Sequence, residues 1–206
     1  RLALLTLFSA DGRSPTSRAQ MERSLSMAEQ AWLADGNHAA VGAVRAARAI
    51  MEGELGEPML AARLAHDALG WLGDQDHNWR AGCLRLVGSA RLLEGRASEA
   101  RQTLQDARTH FETAGNSYGL RATLLKLGDA CVLGGELRQA AELYRAVYRS
   151  EGVELIDKGT ALLGLAGLSY EWNELESAEC EAQAAYQLGV RLADEPLQVR
   201  ATLALV

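Results

Sequence analysis

The chain has little proline, the strongest interrupter of helices. Its 206 residues include only three prolines, and aromatic residues make up 5%. With Ala and Leu dominant, that scarcity favours helices over strands, because Ala, Leu, Arg and Glu lose little side-chain freedom on entering a helix. Cysteine is equally rare. Cys83, Cys131 and Cys180 are odd in number and far apart, so neither a disulfide framework nor a zinc site is implied. Each sits in a helical pattern among apolar neighbours, where a free thiol behaves as a small core residue; a reducing compartment is the expectation. No apolar run reaches the roughly 18 residues that a membrane span requires, and no signal peptide is expected. Positive charge is also lacking. The formal net charge is −6, and the basic residues are scattered rather than clustered. Such a segment repels phosphate backbones and is a poor nucleic-acid or membrane binder.

What the chain has instead is an internal repeat. Four segments carry Ala-x3-(Leu/Tyr/Ala)-x2-(Ala/Val): Ala61/Ala65/Ala68, Ala100/Leu104/Ala107, Ala140/Tyr144/Val147 and Ala178/Ala182/Ala185. Their period is about 39 residues. At one fixed interval upstream stand the small residues Ala49, Gly88, Gly128 and Ala166, with Leu84 and Val87, Leu124 and Leu127, and Leu162 and Leu165 before the last three. At a shorter interval stand Gly56, Gly95, Gly135 and Asn173, the residue types best suited to a left-handed backbone at a helix end.

This pattern resembles the tetratricopeptide signature, in which two antiparallel helices meet where their side chains are smallest. It predicts that Gly88 faces Ala100 and Gly128 faces Ala140, and that a bulky residue there would force the helices apart. The period exceeds the usual 34 residues or so, and the spacing from Ala107 to Leu124 places the excess in a longer second helix. The fold class expected is all-α: a tetratricopeptide-like α–α superhelix, or solenoid, of antiparallel helix pairs. Helices are predicted at 16–34, 37–53, 58–72, 78–94, 97–114, 118–133, 137–150, 158–172, 175–192 and 196–206, with the tail of another at 1–9. The chain reads as one domain, 1–206, of about five helix pairs, with repeats at 37–76, 77–116, 117–156 and 157–194. It opens and closes inside helical patterns (RLALLTLF at 1–8, LQVRATLALV at 197–206), as a segment of a longer protein would.

The fourth unit reads GLAGLSYEWNELESAE from Gly164 to Glu179, and the third reads LKLGDACVLGGELRQAAELYRAV from Leu125 to Val147. Together they resemble the repeat domain of MalT-like regulators, the large ATP-binding members of the LuxR family. The run Tyr170 to Asn173 is the most specific element, and the likeness is clearest over residues 80–192. The resemblance implies a bacterial cytoplasmic transcription regulator whose helical domain receives an inducer or a regulatory protein and then permits self-association. The nucleotide-binding module and the helix-turn-helix of that family would lie elsewhere, since the chain has neither a G-x-x-x-x-G-K-[ST] loop nor a basic recognition helix. The alternative is a free-standing adaptor that holds a partner protein or peptide in its concave groove.

The first helix of each pair should line that groove. Its candidate residues are Arg85, Ser89 and Leu92, then Leu125, Asp129 and Val132, then Leu163, Gly167 and Tyr170. The residues expected to pack the repeats are Gly88, Ala100, Ala107, Gly128, Ala140, Ala166, Ala178 and Ala185. Trp172 should pack under its turn, while Asn173 ends one helix and caps the next with Glu176 as a capping box. The histidines His38, His66, His77 and His110 include no pair at helical spacing, so no metal site is expected. The carboxylates Glu52, Glu54 and Glu57, and Glu171, Glu174 and Glu176, read as solvated surface. Trp32, Trp71 and Trp79 read as packing between repeats. No catalytic constellation and no cofactor are expected; the partner would be a protein or a small-molecule inducer.

Overall fold

In a computed structural model of the chain, residues 15–205 are described; the expected helix at 1–9 lies outside them. The described residues form ten helices and no strand: α1 (Pro15–Ala34), α2 (His38–Glu54), α3 (Pro58–Leu69), α4 (His77–Leu93), α5 (Ala97–Thr113), α6 (Ser117–Leu133), α7 (Leu137–Arg149), α8 (Leu155–Glu171), α9 (Leu175–Leu192) and α10 (Glu195–Ala204). The fold is therefore all-helical and built of consecutive helix pairs, as the repeat predicts. The chain divides into two compact units, residues 1–119 and 120–206, each described in turn below.

Every repeat has one constant half and one variable half. The first helices α2, α4, α6 and α8 are each 17 residues long, and a three-residue turn follows each of them, at 55–57, 94–96, 134–136 and 172–174. The second helices differ: α3 has 12 residues, α5 17, α7 13 and α9 18. A short second helix is followed by a long linker, at 70–76 and at 150–154. The expected lengthening of the second helix thus holds for α5 and α9 and fails for α3 and α7. In α3 the helix stops before Gly70. In α7 it stops because Ser150 turns to an extended conformation, its hydroxyl donating to the Val147 carbonyl at 2.7 Å.

The turn inside each pair is the same device four times. Gly56, Gly95, Gly135 and Asn173 take positive φ angles of 87°, 75°, 78° and 60°. The next residue's N–H then reaches back over the helix end: Glu57 to Glu52 O, Arg96 to Arg91 O, Glu136 to Cys131 O and Glu174 to Ser169 O, at 2.8–3.0 Å. These bonds satisfy carbonyls that would otherwise lack partners at a helix end. Asn173 fills the glycine role, but it does not cap α9. The N-cap is Glu174, without a side-chain bond, so the capping box with Glu176 is not formed. Side-chain caps occur at the first helices, where Asn37 accepts from the Ala40 N–H, Asn116 from Gly119 and Asp194 from Leu197, at 3.1, 2.8 and 2.7 Å.

Ala193, after α9, also takes a left-handed conformation, with φ 52° and ψ 34°. An L-residue with a Cβ carries a cost of about 1–2 kcal/mol there, part of which glycine returns as chain entropy. Ala193→Gly is therefore expected to stabilise the chain by about 0.5–1 kcal/mol, read as a higher urea midpoint at unchanged slope.

In the first unit, Ala61, Ala65 and Ala68 of α3 are all fully buried and pack with Ala46, Ala49, Leu72, Cys83 and Leu86. Small side chains at this spacing form a flat stripe that lets the helix axes approach closely. A second cluster joins α1 to α2 through Met21, Leu25, Ala47 and Met51. Beside it runs a ladder of charges. Arg18 makes a two-oxygen contact with Glu52 at 2.8 and 3.0 Å, Arg48 bridges Glu22 and Glu29, and Arg45 bridges Glu29 and Asp67. Glu52, expected on the solvated surface, is only 6% exposed, because α1 covers it and Arg18 neutralises it. Two guanidinium partners hold the Glu29 carboxyl below its ordinary range despite partial burial. Arg45 also lies 4.3 Å from the ring centre of Trp71, and His38 stacks on that ring.

In the second unit, Leu125, Cys131, Ala140, Ala141, Tyr144, Val147, Ala161, Leu165 and Leu168 form one cluster, with Trp172 packed against it. A neighbouring cluster gathers Leu162, Leu163, Ala185, Leu197 and Ala201. Arg121 of α6 and Asp157 of α8 pair inside this unit at 3.3 Å, each side chain 11% exposed. Cys83 and Cys131 are buried as expected, whereas Cys180 is exposed on α9. Burial pushes the Cys83 thiol up to about 12.

Candidate functional site

The small positions of the repeat act differently from the sequence expectation. Ala100, Ala107, Ala140, Ala166, Ala178 and Ala185 are buried, yet the glycines do not chiefly face alanines. A Cβ on Gly88 would stand 2.6 Å from Cγ of Leu104, against 3.5 Å from the Ala100 carbonyl oxygen. A Cβ on Gly128 would run into the ring of Tyr144, and one on Gly164 would lie 2.6 Å from the same ring. Alanine is too short to fill the space between two helices. The bulky residue one turn further on fills it, and the glycine makes room.

Tyr144 is therefore a wedge. It leaves α7, passes between Gly128 of α6 and Gly164 of α8, and delivers its hydroxyl to Asp129. The hydroxyl donates to Asp129 Oδ1 at 2.8 Å, and Lys126 Nζ donates to Oδ2 at 2.9 Å. Burial first, and the neighbouring carboxylate second, push the Tyr144 hydroxyl well above the usual tyrosine range. It stays protonated and donates. Asp129 is thus fixed in direction on the α6 surface, which suits a polar group that selects a ligand.

The remaining groove candidates divide by burial. In the second unit, Val132 and Tyr170 are exposed at 39% and 67%. Gly167, one turn before Tyr170, has open space where its side chain would be. A glycine inside a helix costs about 1 kcal/mol relative to alanine, and no packing neighbour requires this one. Leu125 and Leu163 belong to the packed clusters instead and are not available to a groove. In the first unit, Arg85, Ser89 and Leu92 of α4 are half-buried.

Two clefts open in the second unit. One, of about 580 Å³, lies between the end of α7, the start of α8 and the middle of α9, lined by Leu155, Lys158, Leu162, Cys180, Gln183 and Leu188 among others. The other, of about 430 Å³, is bounded by Arg138, Glu142 and Arg145 of α7 and by Trp172. Both lie within the size range of ligand pockets. Neither was legible in the sequence, since both are assembled from residues of different repeats.

In the first unit the structure brings His77 and His110 together, their Nδ1 atoms 3.0 Å apart. Helical spacing does not reveal this pair, because its members lie on α4 and α5. Among the described residues, no group of three or more His, Cys, Asp or Glu could hold a metal ion. Burial first, then the charges of Arg80 and His77, hold the His110 imidazole below the ordinary value of 6.5, with Asp106 opposing. The unfolded chain therefore takes up this proton before the folded one does. Stability is whole above about pH 6.5 and is lost as pH falls through that value toward the folded one. The urea midpoint should fall between about pH 7.5 and pH 5.5, and His110→Gln should flatten that fall.

An all-helical chain of short antiparallel pairs, with buried small residues at a fixed period, defines a helical-repeat module. The family described as the MalT-like TPR region matches residues 42–206, and the chain belongs to that family. No curated protein matches the chain. Among the described residues, no helix is long and apolar enough to cross a membrane.

Proposed function

We propose that the chain is the signal-receiving and oligomerisation domain of a bacterial, cytoplasmic, MalT-like regulator of the LuxR family, and that it binds rather than catalyses. The observation that carries this reading is the family match over residues 42–206. The exposed Val132 and Tyr170, with the oriented Asp129 on the same helix as Val132, support a binding role for the first helices. A protein partner or a small-molecule inducer would favour one arrangement of the repeats and so shift a pre-existing equilibrium. Nucleotide and DNA would be bound by other modules of the same gene product. The test is the complete coding sequence: a phosphate-binding loop upstream and a helix-turn-helix downstream are expected. If both are missing, the chain is instead a free-standing adaptor for a partner protein, a reading that the exposed first-helix residues equally serve.

A further inference from the structure

The cleft between α7, α8 and α9 has the chemistry of a site for one class of ligand. Its floor is apolar, made by Leu155, Leu162 and Leu188; Leu162 is 7% exposed. At its edge stands Lys158, half-buried, whose side chain makes no ion pair or hydrogen bond among the described residues. Its ammonium has no counter-charge in the cleft, so an anion placed beside it gains a charge-assisted hydrogen bond. A ligand that supplied one negative charge beside an apolar body would satisfy both parts of the cleft. Gln183 also lines the cleft, and its amide is a donor of the kind a carboxylate accepts from.

We propose that this cleft binds a small monocarboxylic acid with an apolar body of about six to ten carbons, its carboxylate on Lys158 and its chain on the leucines. One cation calls for one anion, and a cleft of about 580 Å³ suits a small molecule rather than an extended segment. The inference rests on the cleft alone and holds whether or not the chain belongs to a transcription regulator.

Cys180 lines the same cleft and is exposed, while Cys83 and Cys131 are buried, so a neutral thiol reagent reads this site selectively. The experiment follows the rate of N-ethylmaleimide addition to the 206-residue chain with octanoate, octylammonium or acetate present. Octanoate should slow the reaction several-fold, with octylammonium and acetate leaving it unchanged. Lys158→Met should weaken octanoate protection about tenfold, as expected for loss of one charge-assisted bond, and Lys158→Arg should keep most of it. Absence of protection by octanoate at millimolar concentration would overturn the proposal. So would equal protection by octanoate and octylammonium, or unchanged octanoate protection in a folded Lys158→Met chain. The ligand series needs no variant, so a poorly folding mutant does not blur the result. A negative outcome leaves the regulator reading untouched, because that reading depends on the flanking modules.

Discussion

Gly128→Ala is expected to destabilise the second unit by about 3 kcal/mol, the upper end of ordinary overpacking costs. A single added methyl group has this effect because Tyr144 cannot retreat. Gly164 closes on the opposite side, where a Cβ would lie 2.6 Å from the ring, and the hydroxyl is tied to Asp129 at 2.8 Å. A flexible side chain would swing aside at small cost, but a ring held along both edges and at its tip has nowhere to go. Urea denaturation of the wild type, Gly128→Ala, Tyr144→Leu and the double variant measures the coupling. Each single change should cost stability, and the double variant should cost much less than their sum. An additive result would mean that the ring is free to move.

Arg121→Met should cost a similar amount, about 3 kcal/mol at neutral pH, because it leaves Asp157 buried without its counter-charge. Desolvation already holds the Asp157 carboxyl above its ordinary range, and Arg121 is what lowers it. An acid whose folded value is raised binds a proton more readily folded than unfolded. Its penalty is therefore largest at neutral pH and is relieved as pH falls through the raised value. Removing Arg121 raises that value further, so the gap between wild type and variant should narrow in mild acid. Arg121→Met combined with Asp157→Leu should recover most of the loss, since two apolar residues of similar volume serve a buried position as well as an ion pair does. Guanidinium unfolding curves at neutral and mildly acidic pH check both statements. A gap independent of pH would place the Asp157 carboxylate in water.

The repeat was legible in the sequence because its signals are local. Gly56, Gly95 and Gly135 mark left-handed helix ends by residue type alone, and Asn173 could be placed with them because it is the next residue type that tolerates that conformation. Alanines such as 61, 65 and 68 announce a close-packed stripe through their spacing. The helix boundaries followed from these points, most of them within a residue or two. The errors arose where a partner on another helix decides the outcome. Glu52 looks like surface until α1 lays Arg18 over it. Leu125 and Leu163 fall on the expected groove face by counting, yet both are buried in clusters formed with residues of other helices. Cys180 matches the other cysteines in local pattern and differs only in what stands opposite. The His77–His110 contact joins residues with no common helical spacing. A signal for Tyr144 did exist: one repeat carries Tyr where another carries Leu104, and a ring that size requires glycines on two neighbouring helices. Gly128 and Gly164 are both visible in the sequence, but only the fold places them on either side of one ring.

The proposal that this helical region receives signals for a regulator whose chemistry lies in other modules can be put to equilibrium binding. A fluorescent ATP analogue and labelled DNA from upstream of the gene are titrated with the full-length gene product and with the 206-residue chain alone. The full-length product is expected to bind both, and the isolated chain neither. A full-length product that binds neither, or an isolated chain that binds ATP or DNA by itself, would contradict it.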